Sequence, residues 1–272
     1  MFAVPTSLSP SRVESFLSCP MAFRFSSIDK LPEPPSSHMT KGSLVHRALE
    51  LLFMLPAGQR TAEAALRSLD AASEEYRIDP DFTDLHLDEA QSSAFFAEAA
   101  DLVRAYLQME DPNSVREIGL ELRLEAAVGD LTLRGVIDRL ELDVDGELVV
   151  TDYKTGRAPG INYEQSRLAG VHFYSFLCEA LFGRRPARIR LMYLKTGVVI
   201  ETTPSAQSVR YVTTRTQAVL KAVEKACTTG TFQPRPSMLC ASCSFKQWCP
   251  AFGGDPERAL IEAPRSFSVA AA

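Results

Sequence analysis

The apolar and polar positions alternate most clearly between residues 120 and 154. Leu120, Leu122, Leu124 and Ala126 alternate with Glu121, Arg123 and Glu125, the period of a half-buried strand. Gly129-Asp130 then marks a turn. Leu133 to Val144 is rich in aliphatic and β-branched residues, Asp145-Gly146 reads as a two-residue type I′ turn, and Glu147 to Lys154 returns as a third strand. Elsewhere the spacing is three and four, which predicts helices over Lys41–Leu55, Thr61–Tyr76, Asp88–Met109, Tyr163–Leu181 and Gln207–Thr228. Ser9-Pro10 reads as a helix cap followed by proline at the first helical position. That short helix carries Val13, Phe16 and Leu17 and ends near Cys19-Pro20. Two further strands are predicted over Pro186–Leu194 and Val198–Thr203, joined at Lys195-Thr196-Gly197.

A chain of 272 residues can bury one substantial core. One domain is expected over residues 1–254, with helices at about 56–114 that carry no recognisable chemistry and build a cap or wall over the core. The Pro/Ala-rich residues 255–272 are expected to be a poorly ordered tail. The formal charge of −5 argues against wholesale wrapping of nucleic acid but allows a local basic groove. No apolar run approaches the ~20 residues of a membrane span. The first residues lack the charged-then-apolar order of a signal peptide. A cytoplasmic chain is therefore the expectation, with its six cysteines serving as ligands or buried thiols rather than disulfides.

The predicted hairpin concentrates charge. Residues about equally distant from its turn pair, so Asp138 can stand beside Asp152, and Lys154 shares a face with Asp152 while Tyr153 points the other way. Two adjacent carboxylates repel, and a hard divalent ion such as Mg²⁺ or Mn²⁺ relieves the repulsion. A lysine beside such an ion can orient a water, or deprotonate it if its own pKa is lowered. Taken alone, an Asp-x-Lys pair is also what an exposed salt bridge looks like. The longer pattern, Gly-x-Ile-Asp-Arg followed by Asp-Tyr-Lys-Thr-Gly, is much rarer. Ahead of it, Gly-Ser-Leu-Val-His-Arg-Ala-Leu-Glu sets His46 inside an amphipathic helix, whereas His38 and His86 read as surface residues.

Cys240, Cys243 and Cys249 form a C-x₂-C-x₅-C cluster, a metal signature that needs a fourth ligand. No histidine lies nearby. Cys19 shares the Cys-Pro context of Cys249 and is the remaining candidate, its alternative being a small buried residue. A link between Cys19 and Cys240 would close a loop over most of the chain and contribute on the order of 4 to 5 kcal/mol as a simple crosslink. Cys178 and Cys227 fall in apolar helical surroundings and read as packed thiols. Arg184, Arg185, Arg188, Arg190 and Lys195 crowd one region, either as a solvated face or as a track for phosphates.

Asp138, Asp152 and Lys154, following a Gly-x-x-x-His helix, resemble the RecB-like exonuclease branch of the PD-(D/E)XK nuclease superfamily. One N-terminal cysteine and three clustered C-terminal ones resemble the AddB-type iron–sulfur nucleases. The resemblance implies an α/β, restriction-endonuclease-like fold: a mixed β-sheet flanked by helices, a helical insertion, and a 4Fe–4S staple on Cys19, Cys240, Cys243 and Cys249, with structural Zn²⁺ as the rival. It implies a Mg²⁺- or Mn²⁺-dependent deoxyribonuclease, exonuclease rather than endonuclease, acting on single-stranded DNA or duplex ends in repair or recombination. His46, Asp138, Asp152 and the Tyr153 carbonyl would hold the ion, Lys154 would act on the water, and Tyr174 and Glu121 would complete the site.

The family pattern also places a Gln four residues before the Tyr, and here that position is Gly170. Gln165 would lie on the opposite helix face, whereas Arg167 shares the face of Tyr174 and could supply the phosphate contact. Arg139, Arg188 and Arg190 are the other candidate DNA contacts. No G-x-x-x-x-G-K loop is present, so any helicase would be a separate subunit. The alternative is a DNA-binding scaffold on the same fold, inactive without a partner.

Overall fold

The computed structural model describes residues 1–128 and 131–269, so the expected Gly129-Asp130 turn lies outside the described residues. In chain order the elements are β1 (Ser7–Leu8), α1 (Pro10–Ser18), α2 (Pro20–Phe23), a π-helical turn (Arg24–Ile28), α3 (Ser37–Phe53), α4 (Ala62–Tyr76), α5 (Pro80–Thr83) and α6 (Glu89–Met109). They continue as β2 (Arg116–Val128), β3 (Leu131–Leu142), β4 (Leu148–Lys154), α7 (Ile161–Phe182), β5 (Arg188–Tyr193), β6 (Val198–Thr202), α8 (Ala206–Thr229) and α9 (Pro256–Val269). The strands form a six-stranded mixed sheet in the order β1-β3-β4-β5-β6, with β2 paired to β3. This is the expected α/β architecture.

The backbone packs as two compact units. Residues 35–124 and 135–209 form one; residues 1–34, 125–134 and 210–272 form the other.

In the first of these units, β4 is the middle strand. It pairs antiparallel with β3 (Arg139 opposite Thr151, Leu142 opposite Leu148) and parallel with β5 (Val149 opposite Arg188, Lys154 opposite Tyr193). Six of its seven residues, Leu148 to Tyr153, are buried. A strand with neighbours on both sides and cover on both faces reads as a continuous apolar run, and Leu-Val-Val-Thr fits that rule. The α7 crossover supplies the length a parallel connection requires. The β3–β4 connection is longer than the predicted two-residue turn. Asp143 Oδ1 accepts the backbone N–H groups of Asp145 (3.0 Å) and Glu147 (2.9 Å), and Gly146 takes a left-handed φ of 77°. An Asx turn followed by a left-handed glycine therefore replaces the type I′ pair.

The helices of the insertion pack on α3. Leu44, Val45, Leu49 and Leu52 of α3 share a core with Ala65 and Leu69 of α4 and with Phe95, Val103 and Tyr106 of α6. Thr61 caps α4, and Asp88 with Gln91 forms a capping box on α6, so both helices begin where side-chain oxygens satisfy their first amides.

The other unit gathers both ends of the chain. Ser7 and Leu8 pair in parallel with Thr132 and Leu133, a strand too short to show any alternation. Ser9 caps α1 as predicted, accepting from Arg12 N–H. Arg24 is buried, bonded to Asp29 (3.0 Å) and Glu257 (2.8 Å), and lies 4.4 Å from the Phe2 ring centroid. The expected tail is instead α9, with Ala259 and Ala263 fully buried. Its entry depends on Gly254, where a Cβ would lie 2.2 Å from the Gln247 carbonyl oxygen. Trp248 Nε1 donates to Glu262 at 2.9 Å, fastening α9 to the cysteine loop.

Candidate active site

The acidic and basic groups of the expected centre come from four elements: His46 from α3, Glu121 from β2, Asp138 from β3, and Asp152 with Lys154 from β4. His46 comes from the middle of α3. That helix is drawn close to the end of β4 at Gly42, where a Cβ would sit 3.2 Å from Thr155 Oγ1. His46 Nε2 lies 3.0 Å from the Tyr153 carbonyl oxygen. A carbonyl only accepts, so Nε2 carries a proton, and Nδ1 is the nitrogen turned toward the carboxylates. Nδ1 faces Asp138 Oδ2 at 3.5 Å and Glu121 Oε1 at 3.9 Å.

Asp138 is held by the backbone of the same residue. The Tyr153 N–H donates to Asp138 Oδ2 at 2.7 Å. Burial, with the charge of Asp152 behind it, pushes the Asp138 carboxyl up to about 7. Burial likewise raises Glu121. One ligand atom each from His46, Glu121 and Asp138 lie within 4.8 Å of one another. The tight trio therefore contains Glu121 where the sequence suggested Asp152.

Glu121 reaches that position through an irregularity in β2. Its φ is +43°, a left-handed conformation unusual for any residue but glycine. On one side of it the exposed positions are 116 and 118; beyond it they are 123, 125 and 127. The alternation changes phase across Glu121, as at a β-bulge, and the glutamate turns inward. Uninterrupted alternation would place Glu121 on the same face as Arg123 and Glu125.

Asp152 is buried beside the trio with a partner on each oxygen. Lys154 Nζ lies 2.5 Å from Oδ2, and the Tyr174 hydroxyl makes a longer 3.5 Å contact with Oδ1. Burial opposes the charge on Lys154, but Asp152 overrides it and holds the ammonium above the ordinary lysine range. Tyr174 stays protonated, raised by burial and by Asp152. Gly135 lets α7 approach β3; a Cβ there would lie 2.9 Å from Leu177 and 3.3 Å from Tyr174. Among the described residues, a Cβ at Gly170 would meet nothing within 4 Å, so the position lacking the expected Gln is open on that side. The Arg167 side chain lies outside the described residues.

Of the candidate DNA-contacting arginines, Arg139 is withdrawn from the surface. Arg139 is completely buried, with Glu110 and Glu141 each 2.5 Å from its guanidinium. Arg190 joins the same group, 3.1 Å from Glu110 and 3.5 Å from Glu141. Arg188 is half-exposed and pairs with Asp143 at 3.0 Å. The sequence does carry a signal for Arg139: if Asp138 faces the site, period 2 sends Arg139 to the far face with Tyr153 and Thr151. By contrast, Arg123 is exposed, acts electrostatically on Glu121, and has no ion pair among the described residues.

Cys19, Cys240, Cys243 and Cys249 line one cavity in the unit that holds the chain ends, together with Phe25 and Phe245. Burial raises Cys243, and the three other thiols add to the shift. Backbone N–H groups of Arg235 and Ser237 point at the sulfurs of Cys19 (3.5 Å) and Cys240 (3.3 Å). Cys178 and Cys227 are fully buried, the Cys227 thiol donating to the Ala3 carbonyl at 3.7 Å.

A family model described as the PD-(D/E)XK nuclease superfamily matches residues 7–250. The chain is 23% identical over 270 residues to the Gene 69 protein of Mycobacterium phage D29, covering 90% of this chain and 96% of that protein. It is also 23% identical over 288 residues to the Gene 69 protein of Mycobacterium phage L5, with the same coverage. Among solved structures it resembles SSO0001 (15% identity, TM-score 0.41, 92% of this chain and 89% of that one). It also resembles a candidate exonuclease from Eubacterium rectale (11% identity, TM-score 0.47, 88% and 87%).

Proposed function

The chain belongs to the PD-(D/E)XK nuclease superfamily, and on that premise we propose that it is a metal-dependent DNA nuclease of the RecB-like kind, trimming single strands or duplex ends in repair or recombination. The observation that carries this reading is the trio of His46 Nδ1, Glu121 and Asp138, gathered within 4.8 Å beside the Asp152–Lys154 pair. One imidazole nitrogen and two carboxylates suit Mg²⁺ or Mn²⁺. When bound, such an ion offsets charge on the scissile phosphate and makes water a better nucleophile at neutral pH.

The protein's own groups then have distinct parts to play. The Tyr153 backbone holds the His46 ring and the Asp138 carboxylate at once. Asp152 keeps Lys154 cationic, so Lys154 orients the attacking water and steadies the phosphate rather than removing a proton. Tyr174, a neutral donor at Asp152, helps place the phosphate. Arg123 takes the backbone-contacting role that Arg139, buried, and Arg190, half-buried and paired with Glu110, do not fill.

In the other unit, the four cysteines supply the donor set of a 4Fe–4S cluster that staples the two ends of the chain. The two N–H groups aimed at sulfur support an anionic thiolate set there.

The openness at Gly170 favours a second reading, a DNA-binding scaffold that lacks cleavage of its own. End-labelled single-stranded and duplex DNA incubated with the full chain, with Mg²⁺, Mn²⁺ or a chelator, separates the two. Metal-dependent shortening of the DNA is expected. Binding without shortening under every condition would install the scaffold in its place.

A further inference from the structure

Among the described residues, Arg139 is the largest side chain with almost no exposure, and it follows directly on a metal-site aspartate. A buried guanidinium is costly, and an apolar side chain would fill such a space at least as well. Its contacts suggest why a cation stands there. Nε meets Glu141, and Nη1 meets Glu110 and donates to the Tyr153 hydroxyl at 2.7 Å. The guanidinium carbon lies 4.7 Å from the Phe53 ring centroid and 5.6 Å from that of Tyr153. Phe53 is seven residues, about two turns, beyond His46 on the same helix. Glu110 closes α6, the last helix of the insertion.

Arg139 thus ties its own strand, β3, to α3 through Phe53 and to β4 through Tyr153. The decisive link is Tyr153. Its hydroxyl is held by Arg139, its N–H by Asp138 and its carbonyl by His46. We propose that Arg139, braced by Glu110, is a positioning residue that fixes the Tyr153 backbone and so sets the His46 and Asp138 ligand atoms for a divalent ion. The inference rests on reading that trio as a metal site. It also gives the helical insertion a purpose, because the residue that ends its last helix anchors the guanidinium beneath the site.

The test is Mn²⁺ titration of the purified full chain followed by electron paramagnetic resonance, alongside metal-free thermal unfolding. Tyr153→Phe removes one hydroxyl and keeps the ring. It should weaken Mn²⁺ binding by about tenfold, as outer contacts to ligands do, and alter the line shape of the bound ion. Arg139→Lys, which keeps the charge but loses the fork, should move both in the same direction. Tyr106→Phe is the control: its hydroxyl donates to Glu110 at 2.9 Å and accepts from Arg139 at a longer 3.4 Å, but it makes no bond to the backbone that holds His46 and Asp138. It should lower thermal stability while leaving Mn²⁺ affinity within about twofold of the unaltered chain.

Equal Mn²⁺ affinity and line shape in Tyr153→Phe and the unaltered chain would overturn the proposal. So would an equal loss in Tyr106→Phe. If Tyr153→Phe does not fold, Arg139→Lys and Glu110→Gln carry the same comparison. Failure of the unaltered chain to bind Mn²⁺ would instead remove the metal site itself, and this inference with it.

Discussion

His46 donates Nε2–H to the carbonyl of Tyr153, and that bond decides which nitrogen is left for Glu121 and Asp138. The ring is fixed in direction before any ion arrives, a common arrangement for metal-ligating histidines. His46→Ala should therefore reduce Mn²⁺ affinity by more than about tenfold and cleavage by on the order of 10²-fold. Calorimetric titration with Mn²⁺ checks the first; unchanged affinity would take His46 out of the site.

The Asp138 carboxyl, moved from 3.8 to about 7 mainly by burial, gives the metal-free protein a defined pH response. In the folded state it keeps its proton to higher pH than in the unfolded state. Its stabilising contribution is complete below about pH 4 and is lost as pH rises through about 7. Metal binding has to displace that proton. Mn²⁺ affinity should climb by up to about tenfold per pH unit below 7 and level off above it. A flat affinity from about pH 5.5 to 7 would count against this assignment.

Lys154→Ala should cut cleavage by on the order of 10³-fold while DNA affinity changes little. Asp152 would lose its counter-ion, but Lys154 is half-exposed, so the stability loss should be about 1 kcal/mol. Persistent cleavage by this variant would deny Lys154 its role.

Arg123 and Arg188 make a matched pair for DNA binding, one without an ion pair among the described residues and one pinned to Asp143. Arg123→Ala should weaken binding at every sequence and lower the salt slope of log K by about 1. Arg188→Ala should do much less. The reverse order would show the substrate running elsewhere.

Anaerobic purification should give a chain with visible absorbance and about four irons and four sulfides per molecule. Cys19→Ser should lose them and unfold at lower temperature. Zinc in place of iron would replace the cluster with a single structural ion.

Much of the fold is legible in the sequence because it follows from local rules. Ser9-Pro10, Thr61 and Asp88 announce their helices through caps. Period 2 and a turn signal place Asp138 and Asp152 together in antiparallel strands. What escapes a sequence reading depends on tertiary surroundings. Nothing adjacent in sequence shows that β2 breaks step at Glu121, because a bulge is revealed only by what lies across the ladder. Charge alone marks Arg139 as a surface cation; the face to which its neighbour commits it says otherwise. Residues 256–269 look like a tail by composition, yet Ala259 and Ala263 find cover and Trp248 reaches Glu262.

Glu121 also bears on anyone who would make this protein hardier. A left-handed glutamate costs roughly 1 to 2 kcal/mol that asparagine or glycine would largely avoid. A heat-tolerance screen blind to chemistry would thus be drawn to position 121 and return sturdier chains with an incomplete cradle for the ion. On the nuclease reading proposed above, robustness and turnover would be set against each other at a single backbone angle.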